Sequence, residues 1–180
     1  MLDCLSNLTA PATFNFQFSI FNFQLISRIM LLRLTKQFTF EMAHALPGYE
    51  GKCRNIHGHS YKLFVTVEGT PISRQGASTD GMVMDFSAIK RMVEEHIVSV
   101  FDHALVLPRR KGDNPDAAES GLGGYEARLI LVDFQPTTEN LLLHFARLLD
   151  GQLPDGTRLH SLKLCETETS CAELILGEPS

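Results

Sequence analysis

Two stretches of this 180-residue sequence alternate apolar and polar side chains with a period of two, and one loop joins them. In residues 32–44 the apolar side chains occupy even positions, with Lys36 as the exception. In residues 59–67 they occupy odd positions, and Phe64 is the exception. A period of two over this length is typical of half-buried strands, so the sequence predicts two strands whose apolar faces meet on antiparallel pairing.

Three histidines fall on these apolar faces, at His44, His57 and His59. The two that are two residues apart point the same way on an extended strand, and the third ends the first strand. Any one of them could be a buried, hydrogen-bonded histidine with no further role. Three on converging faces favour a metal site instead, and imidazole ligands with one position left open favour zinc.

Cys53 lies in the loop between the two strands, and its role is open from spacing alone. As a fourth ligand it would close the metal site and make the zinc structural. As a free thiol it could transfer protons, and the neighbouring cations Lys52 and Arg54 would favour its thiolate.

The rest of the pattern predicts an α+β fold with the element order β-β-α-β-α-β-β. Asp85 is a candidate N-cap for a helix whose apolar stripe runs to Val100, and residues 136–140 open a second helix. Further strands are predicted near 128–134, 159–166 and 171–176. This order predicts a mainly antiparallel sheet of four to five strands with two helices on one face. Apolar residues expected on the other face suggest assembly into an oligomer.

Two further sites could carry chemistry. Asp102 and His103 form either a surface turn after a helix or a proton-transfer pair, because histidine titrates near neutrality. Glu166 follows Leu162 and Leu164 on their apolar face. It is either a strand-end carboxylate in water or a group that binds two parallel N–H donors of a ligand.

Composition and the N-terminal segment narrow the function classes. The formal net charge of −5 comes without a basic stripe, which argues against nucleic-acid binding. Residues 1–29 have no basic start and too many polar residues to span a membrane. We expect the functional domain to cover residues 30–180, and the leader to be disordered or a misplaced start. Four cysteines without paired spacing, at positions 4, 53, 165 and 171, predict reduced thiols in a cytoplasmic protein.

Several motifs in one order extend this interpretation over residues 30 to 176. They are "FTFEMAHAL", "GKCRNIHGHSYKLFVTVEG", "GMVMDFSAIK", "FDHALVL", "PTTENL" and "LKLCETETS". In these motifs the chain resembles the 6-pyruvoyl-tetrahydropterin synthase family. The resemblance implies a T-fold (tunnelling fold), trimeric β-barrels that pair into hexamers, and active sites between subunits.

The resemblance also implies roles for particular residues. It implies one zinc per subunit on His44, His57 and His59, with Cys53 as a catalytic proton acceptor rather than a ligand. The long loop at residues 109–126 departs from the family pattern.

A second group of residues matches the proton relay and the pterin pocket of the family. Asp102 and His103 match the relay pair, and Glu166 matches the glutamate that anchors the pterin ring and also belongs to the relay. Thr137 and Thr138 match threonines beside the pterin pocket. The implied substrate is a pterin triphosphate, with no nicotinamide or flavin required.

The spacing between Cys53 and His57 bears on which reaction is implied. This short spacing resembles the bacterial members that form a carboxylated tetrahydropterin for queuosine synthesis, whereas the animal pyruvoyl-forming members have a longer spacer. Two alternatives remain open: elimination of triphosphate to a pyruvoyl-tetrahydropterin, and a non-catalytic zinc-binding module.

Overall fold

The computed structural model describes residues 31–110 and 128–177, and these form a mixed sheet with helices on one face. Strands β1 (Leu32–His44) and β2 (His57–Gly69) form a long antiparallel hairpin, as predicted. Their register places His44 directly opposite His57. The predicted leader and nearly all of the predicted 109–126 loop lie outside the described residues.

Both predicted helices are present, and each begins at a side-chain cap. Helix α1 (Phe86–Val93) starts after Asp85, whose carboxylate accepts the Ser87 backbone N–H at 2.7 Å. It continues through a π-helical turn (Glu94–Val98) into a last α-helical turn (Ser99–Phe101).

Helix α2 (Thr138–Leu149) begins within the "PTTEN" segment that was predicted to open it. The hydroxyl of Thr137 accepts the backbone N–H of Asn140 at 3.3 Å. In the part of the chain that the structure describes, no helix is long and apolar enough to span a membrane.

Within the described residues the sheet has six strands, where the sequence predicted four or five. The other four strands are β3 (Ala104–Pro108), β4 (Arg128–Val132), β5 (Thr157–Cys165) and β6 (Cys171–Ile175). The strand order is β4-β3-β1-β2-β5-β6, and β3 pairs in a parallel sense with both β1 and β4. The sheet is therefore mixed, because a short apolar run such as β3 shows no period of two that would reveal its partners.

The core lies between the sheet and the helices. It contains the inward-facing side chains of the β1–β2 hairpin, including Tyr61 and Leu63, packed with Ile89 of α1 and Phe145 of α2. The opposite face of β1 and β2 is mainly polar, with Phe64 as the exception. These two strands therefore supply little of the apolar surface that we expected as a reason for assembly.

Glu68 is a buried carboxylate near the far end of β2, with only 2% of its surface exposed. It accepts hydrogen bonds from Arg33 at 2.8 Å and from Arg158 at 2.6 and 2.9 Å, and His160 Nδ1 lies 3.4 Å away. The two guanidinium groups hold the pKa of Glu68 below its usual range. The buried negative charge of Glu68 is therefore tolerated because it is paired with two arginines.

Cys165 and Cys171 form a disulfide between β5 and β6, which corrects the prediction that all four cysteines are reduced. They face each other in the register of the two strands. Their spacing in sequence did not reveal this, because the pairing depends on the hairpin that brings them together. Among the described residues, Cys53 is the free cysteine.

Candidate active site

Three imidazoles converge where the β1–β2 hairpin reaches its loop end. The ring centroid of His44 lies 4.6 Å from that of His57 and 5.3 Å from that of His59. One ring nitrogen from each residue lies within 4.8 Å of the others. The strand pairing that was predicted from alternating residues therefore brings the three predicted ligands together.

Backbone carbonyls set the orientation of two of these rings. Nδ1 of His44 lies 2.7 Å from the carbonyl oxygen of Pro136, and Nδ1 of His57 lies 2.8 Å from that of Asn55. An imidazole that donates its Nδ1 proton to a carbonyl keeps a lone pair on Nε2. Such outer contacts are typical of histidines that bind a metal through Nε2.

The third ring supplies the test of fit for a metal. Nε2 of His59 is buried and has no hydrogen-bond partner, which is costly for a polar atom unless something binds it. His44 is buried to 1% exposure, and this burial lowers its pKa, so the ring is neutral and able to coordinate. Three imidazoles with one open position fit zinc.

Cys53 lies in a 3₁₀ turn (Lys52–Arg54) in the loop that joins β1 to β2. Its carbonyl oxygen accepts the backbone N–H of Leu46 at 2.9 Å, which ties the turn to the end of the hairpin. The group of mutually close ligand atoms consists of the three histidines and does not include this thiol. The geometry therefore favours an open three-ligand site over a closed site with a fourth ligand.

Glu166 approaches the histidines from the strand beside β2. Its Oε1 atom lies 3.9 Å from Nε2 of His44, and a quarter of its side chain is exposed. The hydroxyl of Tyr61, 3.4 Å from the same nitrogen, completes this group. Tyr61 was recognised from the sequence only as an apolar strand residue, although its position two residues after His59 places it on the same face.

Thr137 and Thr138 lie next to Pro136, whose carbonyl contacts His44, so the start of α2 borders the same site. Thr137 also caps the helix. The contact between His44 and Pro136 spans 92 residues, and no local sequence pattern signals it.

Asp102 and His103 lie beside Glu41 of β1. The Asp102 carboxylate accepts the Glu41 backbone N–H at 2.9 Å, and this bond holds the pKa of Asp102 below its ordinary value. Its other oxygen lies 3.0 Å from Nδ1 of His103. The backbone N–H of His103 donates to the Glu41 carbonyl at 2.6 Å, which fixes its unusual φ of 58°. The two residues therefore do form a pair.

This pair stands apart from the histidine group. His103 is 77% exposed and, together with Ser60 and Arg128, lines a groove along the strands. In the part of the chain that the structure describes, no hydrogen bond or ion pair joins Asp102 or His103 to the three histidines. The chain thus brings together the histidines and Glu166, whereas His103 of the Asp102–His103 pair is exposed.

Comparison with known proteins agrees with this arrangement. A protein from Haemophilus influenzae named 6-carboxy-5,6,7,8-tetrahydropterin synthase is 34% identical over 79% of this chain and 98% of its own length. A protein from Archaeoglobus fulgidus, named as a putative enzyme of the same kind, is 41% identical over 76% of this chain and 89% of its own length.

The fold is shared with a solved relative. The structure of Caenorhabditis elegans 6-pyruvoyl tetrahydropterin synthase matches with a TM-score of 0.57 at 18% identity, covering 82% of this chain and 97% of that one. This likeness confirms the predicted T-fold. Residues 33–175 match the sequence family of the same description. The chain therefore belongs to the 6-pyruvoyl tetrahydropterin synthase family of enzymes.

Proposed function

We propose that this chain is a zinc-dependent 6-carboxy-5,6,7,8-tetrahydropterin synthase of queuosine (7-deazaguanine) biosynthesis. It converts 7,8-dihydroneopterin triphosphate and water into 6-carboxytetrahydropterin, acetaldehyde and triphosphate. The observation that carries the proposal is the convergence of three histidines with ring nitrogens within 4.8 Å, beside a carboxylate that can receive a pterin ring. The names of the two similar proteins support the choice of reaction.

His44, His57 and His59 would hold the zinc through their ring nitrogens. Zinc bound there would act as a Lewis acid on the hydroxyl groups of the substrate side chain. The ordered carbonyl contacts of the first two rings keep the ligand nitrogens aimed at one point. No nicotinamide or flavin is needed, because the pterin ring and its own side chain exchange the electrons.

The other residues would bind the ring and move protons. Glu166 holds the pterin ring in register through two parallel N–H donors, an orientation effect. Thr137 and Thr138 border the ring pocket. Cys53 transfers protons at the side chain, and it is free and partly accessible, as that role requires.

The Asp102–His103 pair would serve as the second proton relay, in the active site of a neighbouring subunit. The outward position of His103, 77% exposed, supports this assignment, because the pair makes no contact with the histidines of its own chain among the described residues. We therefore propose a homo-oligomer, a hexamer built as a dimer of trimers, whose active sites lie between subunits.

A product assay tests the proposal directly. Purified protein with added zinc is incubated with 7,8-dihydroneopterin triphosphate, and products are identified by mass spectrometry. We expect 6-carboxytetrahydropterin and acetaldehyde in equal amounts. A pyruvoyl-tetrahydropterin without acetaldehyde would assign the alternative reaction, and bound zinc without turnover of any dihydropterin would identify a non-catalytic module.

A further inference from the structure

Tyr61 is a fully buried side chain at the base of the candidate metal site. Its ring stacks on that of Phe40, with centroids 5.3 Å apart and planes 11° from parallel, so its direction is fixed. The hydroxyl oxygen lies 3.4 Å from Nε2 of His44. Glu166 Oε1 lies 3.9 Å from the same nitrogen, so three polar groups meet at one point.

The hydroxyl has one proton and two possible acceptors. Nε2 of His44 carries a lone pair, since Nδ1 of that ring is paired with the Pro136 carbonyl. The carboxylate of Glu166 is the other acceptor. A metal on Nε2 would use the lone pair of His44, and the phenol could then donate only to Glu166.

We propose that Tyr61 is a positioning residue that couples occupancy of the metal site to the orientation of the Glu166 carboxylate. With the site filled, the hydroxyl donates to one carboxylate oxygen and directs the exposed part of the group towards the bound ring. This role rests on the proposed function, because it takes Glu166 as the residue that receives the pterin.

Burial supports the role, because the hydroxyl is shielded from water and the Glu166 side chain lies within hydrogen-bonding reach of it.

Unsubstituted pterin is the probe that separates this effect from direct metal contact. It has the ring but not the side-chain hydroxyls that would reach the zinc. Its Kd is measured by fluorescence titration on the full chain, once after chelation and once with zinc. We expect zinc to tighten binding by roughly tenfold to a hundredfold, the net effect of one hydrogen bond to a charged group. In Tyr61→Phe this ratio falls to about one, while zinc content is unchanged.

Tyr49→Phe is the matched control, because Tyr49 is exposed on the neighbouring loop, and its ratio stays at the wild-type value. If Tyr61→Phe is not recovered folded, Phe40→Leu replaces it: removing the stacked ring frees the phenol, and the ratio is expected to fall.

Three results would overturn the coupling, and their consequences for the proposed function differ. Zinc-independent binding of pterin to the wild type, or an undiminished ratio in the variant, removes the role of Tyr61 and leaves the proposed function standing. No binding of pterin to the zinc-loaded wild type also removes this role, and the product assay with 7,8-dihydroneopterin triphosphate then decides the proposed function separately.

Discussion

His44 and His57 are register partners at the point where β1 and β2 separate, and their rings lie 4.6 Å apart. Because both strands are 13 residues long and paired throughout, this end of the hairpin is a rigid support. The position of the third ligand follows from the strand period alone, since His59 is two residues further along β2. The ligand set is therefore a property of the hairpin rather than of its loop.

Removing one ligand should abolish zinc binding while the fold persists. In His57→Ala we expect zinc affinity to fall by at least about a hundredfold. Removing a group that only hydrogen-bonds a metal ligand already lowers metal affinity by up to about a hundredfold, and here the ligand itself is lost. Metal content by mass spectrometry and competition with a chromophoric chelator measure the change. His96→Ala is the control, since His96 lies on the π-helical turn away from the site. Full zinc content in His57→Ala would contradict the three-histidine site.

Cys53→Ala distinguishes an open site from a closed one. We expect the variant to retain zinc at the wild-type ratio, because the thiol is not among the mutually close ligand atoms. We expect its rate of acetaldehyde formation to fall by about a hundredfold or more, as loss of a general base or acid typically does. Zinc content and acetaldehyde release are measured on the same preparation. Loss of zinc from the variant would identify Cys53 as a fourth ligand.

The site was predictable from the sequence where it depends on strand parity. Alternation alone placed His44, His57 and His59 on converging faces. It could not show that the Pro136 carbonyl orients His44, because that contact depends on how α2 packs against the hairpin. It also missed β3, whose pairing with β1 is parallel and therefore follows a helical crossover. The odd or even position of a residue in a strand specifies the face of the sheet that its side chain occupies. Contacts between segments that are distant in sequence depend on tertiary packing.

The Cys165–Cys171 disulfide should be detectable by counting thiols. In denatured protein, reduction is expected to raise the number of reactive thiols by two, because reduction opens this bond and Cys53, the other cysteine of the described residues, is already free. Closing so short a loop stabilises the fold by about 2 kcal/mol in the chain-entropy account. Reduced protein should therefore unfold at lower denaturant concentration.

The double variant Cys165→Ser, Cys171→Ser is the control for that measurement. Its denaturation midpoint should match that of the reduced wild type and should not respond to reductant. An unchanged thiol count on reduction of the wild type would show that the two cysteines are not bonded in solution.

Glu68 should make stability depend on pH in a defined direction. Arg33 and Arg158 lower its pKa in the folded chain below the unfolded value near 4.5. A carboxyl with a depressed folded pKa stabilises the fold above its unfolded pKa, and the contribution disappears as the pH falls through the folded pKa. We therefore expect Glu68→Gln to be less stable than the wild type at pH 7, with the difference shrinking below about pH 4.5. Denaturation midpoints at pH 7 and at successive acidic values measure this.

Asp133→Asn is the matched control, because Asp133 pairs with Arg109 at the surface and such pairs contribute little. A Glu68→Gln deficit that persists unchanged in acid would mean that lost packing, rather than the paired charge, accounts for it.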